Sequence, residues 1–380
     1  MKIYRKEGQC AERPHLNLPP ETYEEELGLE GFFGLVSHLY HRHPPTSWSG
    51  IRKAGFQWPQ IENADREFLK PECYDPIHDE SSSGNFFESG RLMFHNDDVS
   101  IWTHQITEAE SVYFRNADAS EVYFCHQGSG RFESIFGSFE IRPGDYLVVP
   151  KGVTYRWQSE DLYILRVESF HSPFRKPETG ILGQQALYHE EGIETPKFHQ
   201  PAKDEISSRI WTQSERVLTE IQYDFDIRSI SGWMGTLYPY KLSVKNIAPV
   251  MSSIAHLPPS INSTFLANGF VICTFLPRPL EEPHGALKVP FYHSNIDYDE
   301  VIFYHEGNFF SRDNMKKGCM TLHPRGIHHG PHPKALSMQH QMKRTDEIAV
   351  MIDTEKPLKV SRFARTLEQR DYWKSWMPKS

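Results

Sequence analysis

The sequence predicts a mostly β protein built from two copies of one antiparallel barrel, with few helices. Short runs rich in Val, Ile, Phe and Tyr alternate with glycine and proline, a pattern typical of barrels and sandwiches. Two blocks of sequence recur in the same order in the two halves of the chain. The length of 380 residues exceeds one ordinary core and suits a duplicated one.

The strand-like pattern is clearest over residues 121–157, where glycines mark turns between short apolar runs. The best helical candidates are 214–222 and 361–376. A stretch rich in Pro, Gly, His and charge follows the first half and is predicted to connect the two barrels. The predicted limits are an N-terminal barrel with an extension over 1–170, a connection over 171–230, and a C-terminal barrel that ends in a helix over 231–380.

The internal repeat consists of two matched blocks. Segment 114–124 aligns with 293–303 through an asparagine, an aspartate and a glutamate that precedes an apolar run. Segment 144–157 aligns with 318–331 through glycines and a proline in register. Only the loop between the two blocks differs in length. Two blocks in the same order indicate that one barrel has been duplicated.

The two copies differ at matched positions in a way that points to chemistry. A glutamate is present in both copies, as Glu121 and Glu300. The second copy has histidines where the first has apolar or aromatic residues: His293 for Phe114, His323 for Val149 and His329 for Tyr155. The second barrel alone therefore combines imidazoles with a carboxylate.

Two neutral imidazoles and one carboxylate on one face of a divalent metal leave open positions, an arrangement that suits Fe(II) in oxygenases. We therefore predict that His293, His329 and a carboxylate bind iron. Alternate side chains of a strand share a face, so Glu300 needs a turn in the polar segment 295–299 to meet His293. The retained Glu121 favours Glu300 as the ligand, and Asp299 stays as the alternative.

Composition excludes several other classes of function. The net charge of −9 without a basic block argues against a nucleic-acid partner. No apolar run is long enough to span a bilayer, and the N-terminus lacks the apolar segment of a secretory signal. The five cysteines are scattered and never form a CxxC pair, which favours a reducing compartment and a cytoplasmic protein.

The second half contains four distinctive segments: GWMGTLYPYK (232–241), AHLPPSI (255–261), PFYHSN (290–295) and LHPRGIHHGP (322–331). These segments resemble the homogentisate 1,2-dioxygenase family of double-cupin proteins. The resemblance implies duplicated cupin (jelly-roll) barrels. It also implies an enzyme that opens a para-dihydroxylated aromatic ring with O₂ at a non-haem Fe(II), yielding maleylacetoacetate from homogentisate in tyrosine and phenylalanine breakdown. The expected partners are a small aromatic substrate and O₂, in a homo-oligomer that is a trimer or hexamer.

Carried over position by position, the resemblance implies a role for each matched residue. His293, Glu300 and His329 would be the iron ligands. His323 would lie close to the bound ring and, like His256, would be a catalytic residue that can accept the phenolic proton. His256 falls where the family has a histidine that handles the phenolic proton of the substrate.

The resemblance also implies the wall of the substrate pocket. Tyr292, beside the first ligand, would touch this wall, and Phe309 takes the place of a tyrosine that helps to hold the substrate. Phe291 and Phe310 add to the aromatic character of the region. One extra residue between the first histidine and Glu300, relative to better-known members of the family, keeps the alternative ligand open.

Two other readings are compatible with a double cupin. One is a different metalloenzyme, either a gentisate-type dioxygenase, which usually has three histidines at the metal, or a sugar isomerase with zinc or manganese. The other is a non-catalytic protein that binds a small ligand. Metal analysis and oxygen uptake distinguish these readings.

Overall fold

Strands dominate the regular structure, as the sequence predicts. The computed structural model describes residues 3–78, 83–178, 187–199, 207–309, 312 and 315–377. The N-terminal strands are β1 (Arg5–Gly8), β2 (Tyr23–Gly28), β3 (Val36–His41), β4 (Gly50–Lys53), β5 (Glu72–Tyr74), β6 (Ser83–Gly84), β7 (Arg91–His95), β8 (Val99–Ile106), β9 (Tyr113–Asn116), β10 (Ser120–Ser134), β11 (Gly137–Ile141), β12 (Asp145–Val149), β13 (Thr154–Ser169) and β14 (Ile193–Glu194).

The second half adds ten strands and two short α-helices to the described part of the chain. They are β15 (Ser208–Ser214), β16 (Val217–Tyr223), β17 (Ile230–Gly235), β18 (Tyr240–Ser243), β19 (Ser263–Ala267), β20 (Phe270–Phe275), β21 (Asp299–Glu306), β22 (Met320–His323), α1 (Pro333–Met338), β23 (Ile348–Thr354), β24 (Lys359–Val360) and α2 (Arg362–Thr366).

The N-terminal barrel is organised around the long antiparallel pair β10 and β13. These strands pair from Ser120 opposite Ser169 to Ser134 opposite Tyr155, and β8, β9 and β12 extend the sheet. Inward-facing aromatic side chains such as Phe132 and Trp157 are fully buried in its core. Alternation of large apolar side chains along each strand therefore fills this barrel.

The C-terminal sheet has the strand order β19-β20-β23-β21-β22-β5. Its last strand, β5, comes from the N-terminal half of the chain. Conversely, β17 and β18 lie almost entirely within the predicted C-terminal limits of 231–380 but pair with N-terminal strands. Each half thus contributes strands to the sheets of the other, and β5 and β18 cover edges of β22 and β12 that would otherwise be open.

Equivalent turns in the two barrels confirm the predicted duplication. The amide of Gly152 donates to the carbonyl of Asn116 at 2.8 Å, and the matched amide of Gly326 donates to Asn295 at 2.9 Å. The two glycines have φ values of 84° and 82°, a left-handed conformation that disfavours other residues. The repeat therefore extends to the backbone hydrogen bonds.

The helix predicted over 214–222 is wrong. Strands β15 and β16 form a hairpin here, with Glu215 and Arg216 as a two-residue turn at φ values of 51° and 63°. Two consecutive positive φ values match the tight turn that suits the twist of antiparallel strands. The predicted C-terminal helix over 361–376 is partly right: α2 and a 3₁₀ turn over Tyr372–Trp376 lie within it.

Among the described residues, no helix combines the length and apolar character needed to cross a membrane.

A pair of repeat-related histidines joins the two barrels. His126 on β10 and His305 on β21 occupy matched positions, and both are buried. Their Nδ1 atoms lie 3.0 Å apart. The matched Phe124 and Phe303 lie beside them, with ring centroids 6.3 Å apart. The same face of each barrel thus packs against its counterpart.

This contact predicts acid sensitivity. Burial lowers the pKa of His126 to about 3, and the nearby His305 and Lys317 add to this shift. Burial also lowers the pKa of His305 to about 4, where Glu306 opposes the shift and Lys317 adds to it. Unfolded imidazoles titrate near 6.5, so the unfolded chain binds more protons from about pH 6.5 down to about 4. We expect the free energy of unfolding to fall by about 2 kcal/mol per histidine between pH 7 and pH 5.

Urea denaturation of the metal-free protein at both pH values measures this loss. His126→Gln should reduce the difference in unfolding free energy between pH 7 and pH 5. His340→Gln, at an exposed site, should leave that difference unchanged. An unchanged difference in His126→Gln would contradict the prediction.

Candidate metal centre and its pocket

His293, Glu300 and His329 converge at one end of the C-terminal barrel. One ligand atom from each lies within 4.8 Å of the others. The backbones of His293 and His329 exchange two hydrogen bonds, each 2.9 Å, and Glu300 is the second residue of β21. In the first barrel the matched Phe114 and Tyr155 pair in the same register. The fold therefore brings together the residues at which the two copies differ.

The surroundings of Glu300 keep its carboxyl ionised, which is the form that binds a cation. Burial alone would raise its pKa, but a 2.6 Å hydrogen bond from Nδ1 of His323, together with the nearby imidazoles and the guanidinium of Arg312, outweighs this and lowers the pKa. Burial in turn lowers the pKa of His323. A neutral His323 that donates its Nδ1 proton therefore keeps Glu300 ionised and oriented.

The imidazole of His329 has the free nitrogen that a metal ligand needs. Its Nε2 is buried and has no hydrogen-bond partner among the described residues, and it lies 3.8 Å from Oε1 of Glu300. Burial, helped by His323, lowers the pKa of His329 to about 4, so the ring is neutral near pH 7. Two imidazole nitrogens and a carboxylate oxygen fit a divalent transition metal.

Asp299, the alternative ligand, points away from the cluster. Its side chain is fully buried on the other face of β21. One oxygen accepts hydrogen bonds from the amide and Nε of Arg325 at 2.9 and 3.2 Å, and the other accepts from the amide of Leu358 at 2.7 Å. The turn that precedes β21 is held by Asn295, whose Oδ1 accepts two backbone amides. Strand alternation then separates the two neighbouring carboxylates.

A cavity of about 140 Å³ opens beside the cluster. Alternate residues of β21 line it, namely Glu300, Ile302 and Tyr304. Ala349 and Met351 line it from the neighbouring β23. One face of the sheet therefore provides both the carboxylate and the floor of the cavity.

The other predicted site residues lie at different places relative to the cavity. His256 lines the cavity, with Nδ1 3.5 Å from Oε1 of Glu281. His323 is completely buried behind Glu300 rather than in the cavity lining. Tyr292 is 55% exposed and does not line the cavity, and Phe309 is buried against Tyr304 at a ring distance of 4.9 Å. Phe310 lies outside the described residues.

Several polar residues of the cavity wall escaped the sequence analysis, Arg278 and Lys288 among them. Thr345 and Glu347 precede β23 on the same side as its pocket-facing residues, and a period of two from Met351 could have found them. Arg312 lines the cavity and donates from Nη1 to the carbonyl of Gly330 at 2.9 Å. It lies in an irregular segment, where no periodic pattern exists to place it.

Two like barrels define a class of double-barrel proteins, and in this one the described residues form a candidate metal centre, with two imidazoles and a carboxylate beside a cavity, in the second barrel alone. Comparisons with known proteins agree with this class. The model of the homogentisate 1,2-dioxygenase N-terminal domain matches residues 87–244, and that of the C-terminal domain matches 247–380. The chain therefore belongs to the homogentisate 1,2-dioxygenase family, a family of ring-cleaving dioxygenases.

Two relatives of similar sequence support the same assignment. A protein of Saccharolobus solfataricus named "putative dioxygenase" is 33% identical, and the alignment covers 99% of each chain. A homogentisate 1,2-dioxygenase of Rhizobium etli is 26% identical over 80% of this chain and 72% of its own length. Among solved structures, a cupin 2 conserved barrel domain protein of Leptotrichia buccalis gives a TM-score of 0.35 at 12% identity, covering 70% of this chain and 88% of that chain.

Proposed function

We propose that this chain opens a para-dihydroxylated aromatic ring with O₂ at a ferrous ion held by His293, Glu300 and His329. The observation that carries this proposal is the convergence of these three side chains beside a cavity that also contains His256. Two imidazoles and one carboxylate leave room on the metal for both a substrate oxygen and O₂. Family membership favours homogentisate or a close hydroquinone analogue as the ring that is opened.

A ferrous ion bound there would supply open coordination positions and the redox chemistry that couples an electron-rich ring to O₂. The protein supplies the rest. The carboxyl of Glu281, 3.5 Å from Nδ1 of His256, orients that imidazole within the cavity. An imidazole in contact with the substrate can accept a phenolic proton, and His256 takes this role. His323 holds the carboxylate of Glu300 by its hydrogen bond.

The apolar side of the cavity orients the ring and excludes water. Phe275, Ile302 and Met351 line it. Apolar walls restrict the ring to one plane and reduce competing hydrolysis or proton leakage. Binding and orientation of the ring are therefore separate tasks from metal ligation, and different residues perform them.

Oxygen uptake by the ferrous-loaded protein tests this function. We expect one O₂ to be consumed per hydroquinone, and both atoms of that O₂ to be present in the ring-opened product. Benzenes that carry a single hydroxyl should give no uptake. Homogentisate, gentisate and unsubstituted hydroquinone form the substrate panel. Absence of uptake with every para-dihydroxybenzene, from protein that retains iron, would refute the proposal.

A further inference from the structure

A second pocket, of about 580 Å³, lies beside strands β7 and β8 and helix α2. None of its described lining residues also lines the cavity beside the candidate metal centre. Its apolar wall is formed by Pro59, Ile61, Leu92, Trp102 and Phe363. The indole nitrogen of Trp102 already donates to Ser100 and Glu168, at 2.7 and 2.8 Å, so the ring offers the pocket only apolar surface. The wall therefore suits a flat apolar ligand.

The charged side chains of this pocket are mostly cationic, although the net charge of the chain is −9. Among the described lining residues, three are arginines, Arg91, Arg216 and Arg362, and one is a carboxylic acid, Glu62. The carboxyl of Glu62 is already paired with Arg362 at 2.7 Å. The lining therefore carries positive charge that its own carboxyl does not balance.

Arg216 is a cation without a paired carboxyl in the part of the chain that the structure describes. Its Nη2 donates to the carbonyl of Pro59 at 3.3 Å. The two carboxyls that act on it are engaged elsewhere, because Glu168 pairs with Arg166 at 2.6 Å and Asp118 accepts two backbone amides. Burial lowers the pKa of Arg216, and the opposing effects of Glu168 and Asp118 do not reverse the shift. A bound anion would supply the missing counter-charge.

The backbone holds Arg216 beside the apolar wall. It is the second residue of the turn between β15 and β16, with a φ of 63°, a conformation that residues other than glycine adopt infrequently. The amides of Glu215 and Arg216 donate to the carboxyl of Asp118 at 2.6 and 2.9 Å and stabilise this turn. The guanidinium carbon lies 5.8 Å from the ring centre of Trp102. A planar guanidinium positioned in this way can bind a carboxylate through two N–H groups.

We propose that this pocket binds a small aromatic carboxylate, with its ring against Trp102 and Leu92 and its carboxylate on Arg216. Burial of the ring and the charge-assisted hydrogen bonds would both contribute to affinity. An inorganic anion would leave the apolar wall uncovered, and a neutral ring would leave Arg216 without a counter-charge. The site is separate from the candidate metal centre, so this inference does not depend on the proposed ring-opening function.

Isothermal titration calorimetry of the full chain with 2-naphthoate tests the site. The alcohol 2-naphthalenemethanol is the neutral ligand of similar shape, and inorganic phosphate is the anion without an apolar body. We expect 2-naphthoate to bind at least about tenfold more tightly than either, because hydrogen bonds to charged groups contribute more than neutral ones and because phosphate buries no ring. Arg216→Gln should remove the preference for the carboxylate over the alcohol, and Arg216→Lys should retain part of it.

Arg278→Gln provides the matched control. Arg278 lines the cavity beside the candidate metal centre and is absent from the described lining of the second pocket, so this variant should bind 2-naphthoate as the wild type does. Equal affinity of the wild type for the carboxylate and the alcohol would overturn the inference. A loss of affinity in Arg278→Gln but not in Arg216→Gln would also overturn it, because the anion would then bind in the other cavity.

Discussion

His293→Ala is expected to abolish both iron retention and oxygen uptake. The variant leaves one imidazole and one carboxylate, Glu300, and the vacated position is half-exposed, so water would replace the lost nitrogen. Loss of a residue that only supports a ligand weakens metal binding by about 10–100-fold, and loss of the ligand itself should cost at least as much. Iron per chain after anaerobic loading and desalting, and the rate in an oxygen electrode, measure the two effects.

His328→Ala is the matched control for this experiment. His328 is an exposed imidazole next to His329 in the sequence, and it is absent from the cluster. This variant should retain iron and activity. Wild-type iron content and activity in His293→Ala would show that the metal, if it binds, is held elsewhere.

Arg166→Met is expected to destabilise the N-terminal barrel by about 3–5 kcal/mol. The guanidinium of Arg166 is buried between two carboxyls: Nε donates to Glu121 at 2.9 Å and Nη2 donates to Glu168 at 2.6 Å. Glu121 is the repeat partner of Glu300, so an arginine supplies in the first barrel the positive charge that a metal would supply in the second. Removing it leaves two buried carboxyls without a cation.

Urea denaturation followed by circular dichroism measures this loss. Arg362→Met removes an arginine from a surface pair with Glu62, 72% and 57% exposed, and should cost no more than about 1 kcal/mol. Adding Glu121→Gln to Arg166→Met should restore part of the stability, because it removes one unpaired charge. A loss in Arg166→Met no larger than in the surface control would contradict the account.

The duplicated fold and the grouping of the three candidate ligands could be predicted from sequence. The reason is that the repeat supplies an internal comparison: Phe114 and Tyr155 show what an ordinary barrel places where His293 and His329 stand. The backbone hydrogen bonds of the matched turns explain why that comparison holds in three dimensions. Their role as iron ligands stays a prediction that the experiments above test.

Other features could not be predicted because they depend on long-range contacts. The turn at Asn295, held by its side-chain hydrogen bonds, determines where β21 begins. That starting point determines that Glu300 faces the cluster and Asp299 faces away from it. The position of His323 behind Glu300, rather than beside a ring, depends on strand register between β21 and β22. The hairpin at Glu215 replaced a predicted helix because the helical pattern of apolar residues was too short to distinguish the two.

Diffraction at the iron absorption edge, from crystals loaded with ferrous ion without oxygen, tests the central claim most directly. One anomalous peak is expected in the C-terminal barrel, within bonding distance of His293, Glu300 and His329, and none in the N-terminal barrel beside Glu121. A peak bonded to Asp299 instead of Glu300, or no peak between the two histidines at full iron loading, would contradict it.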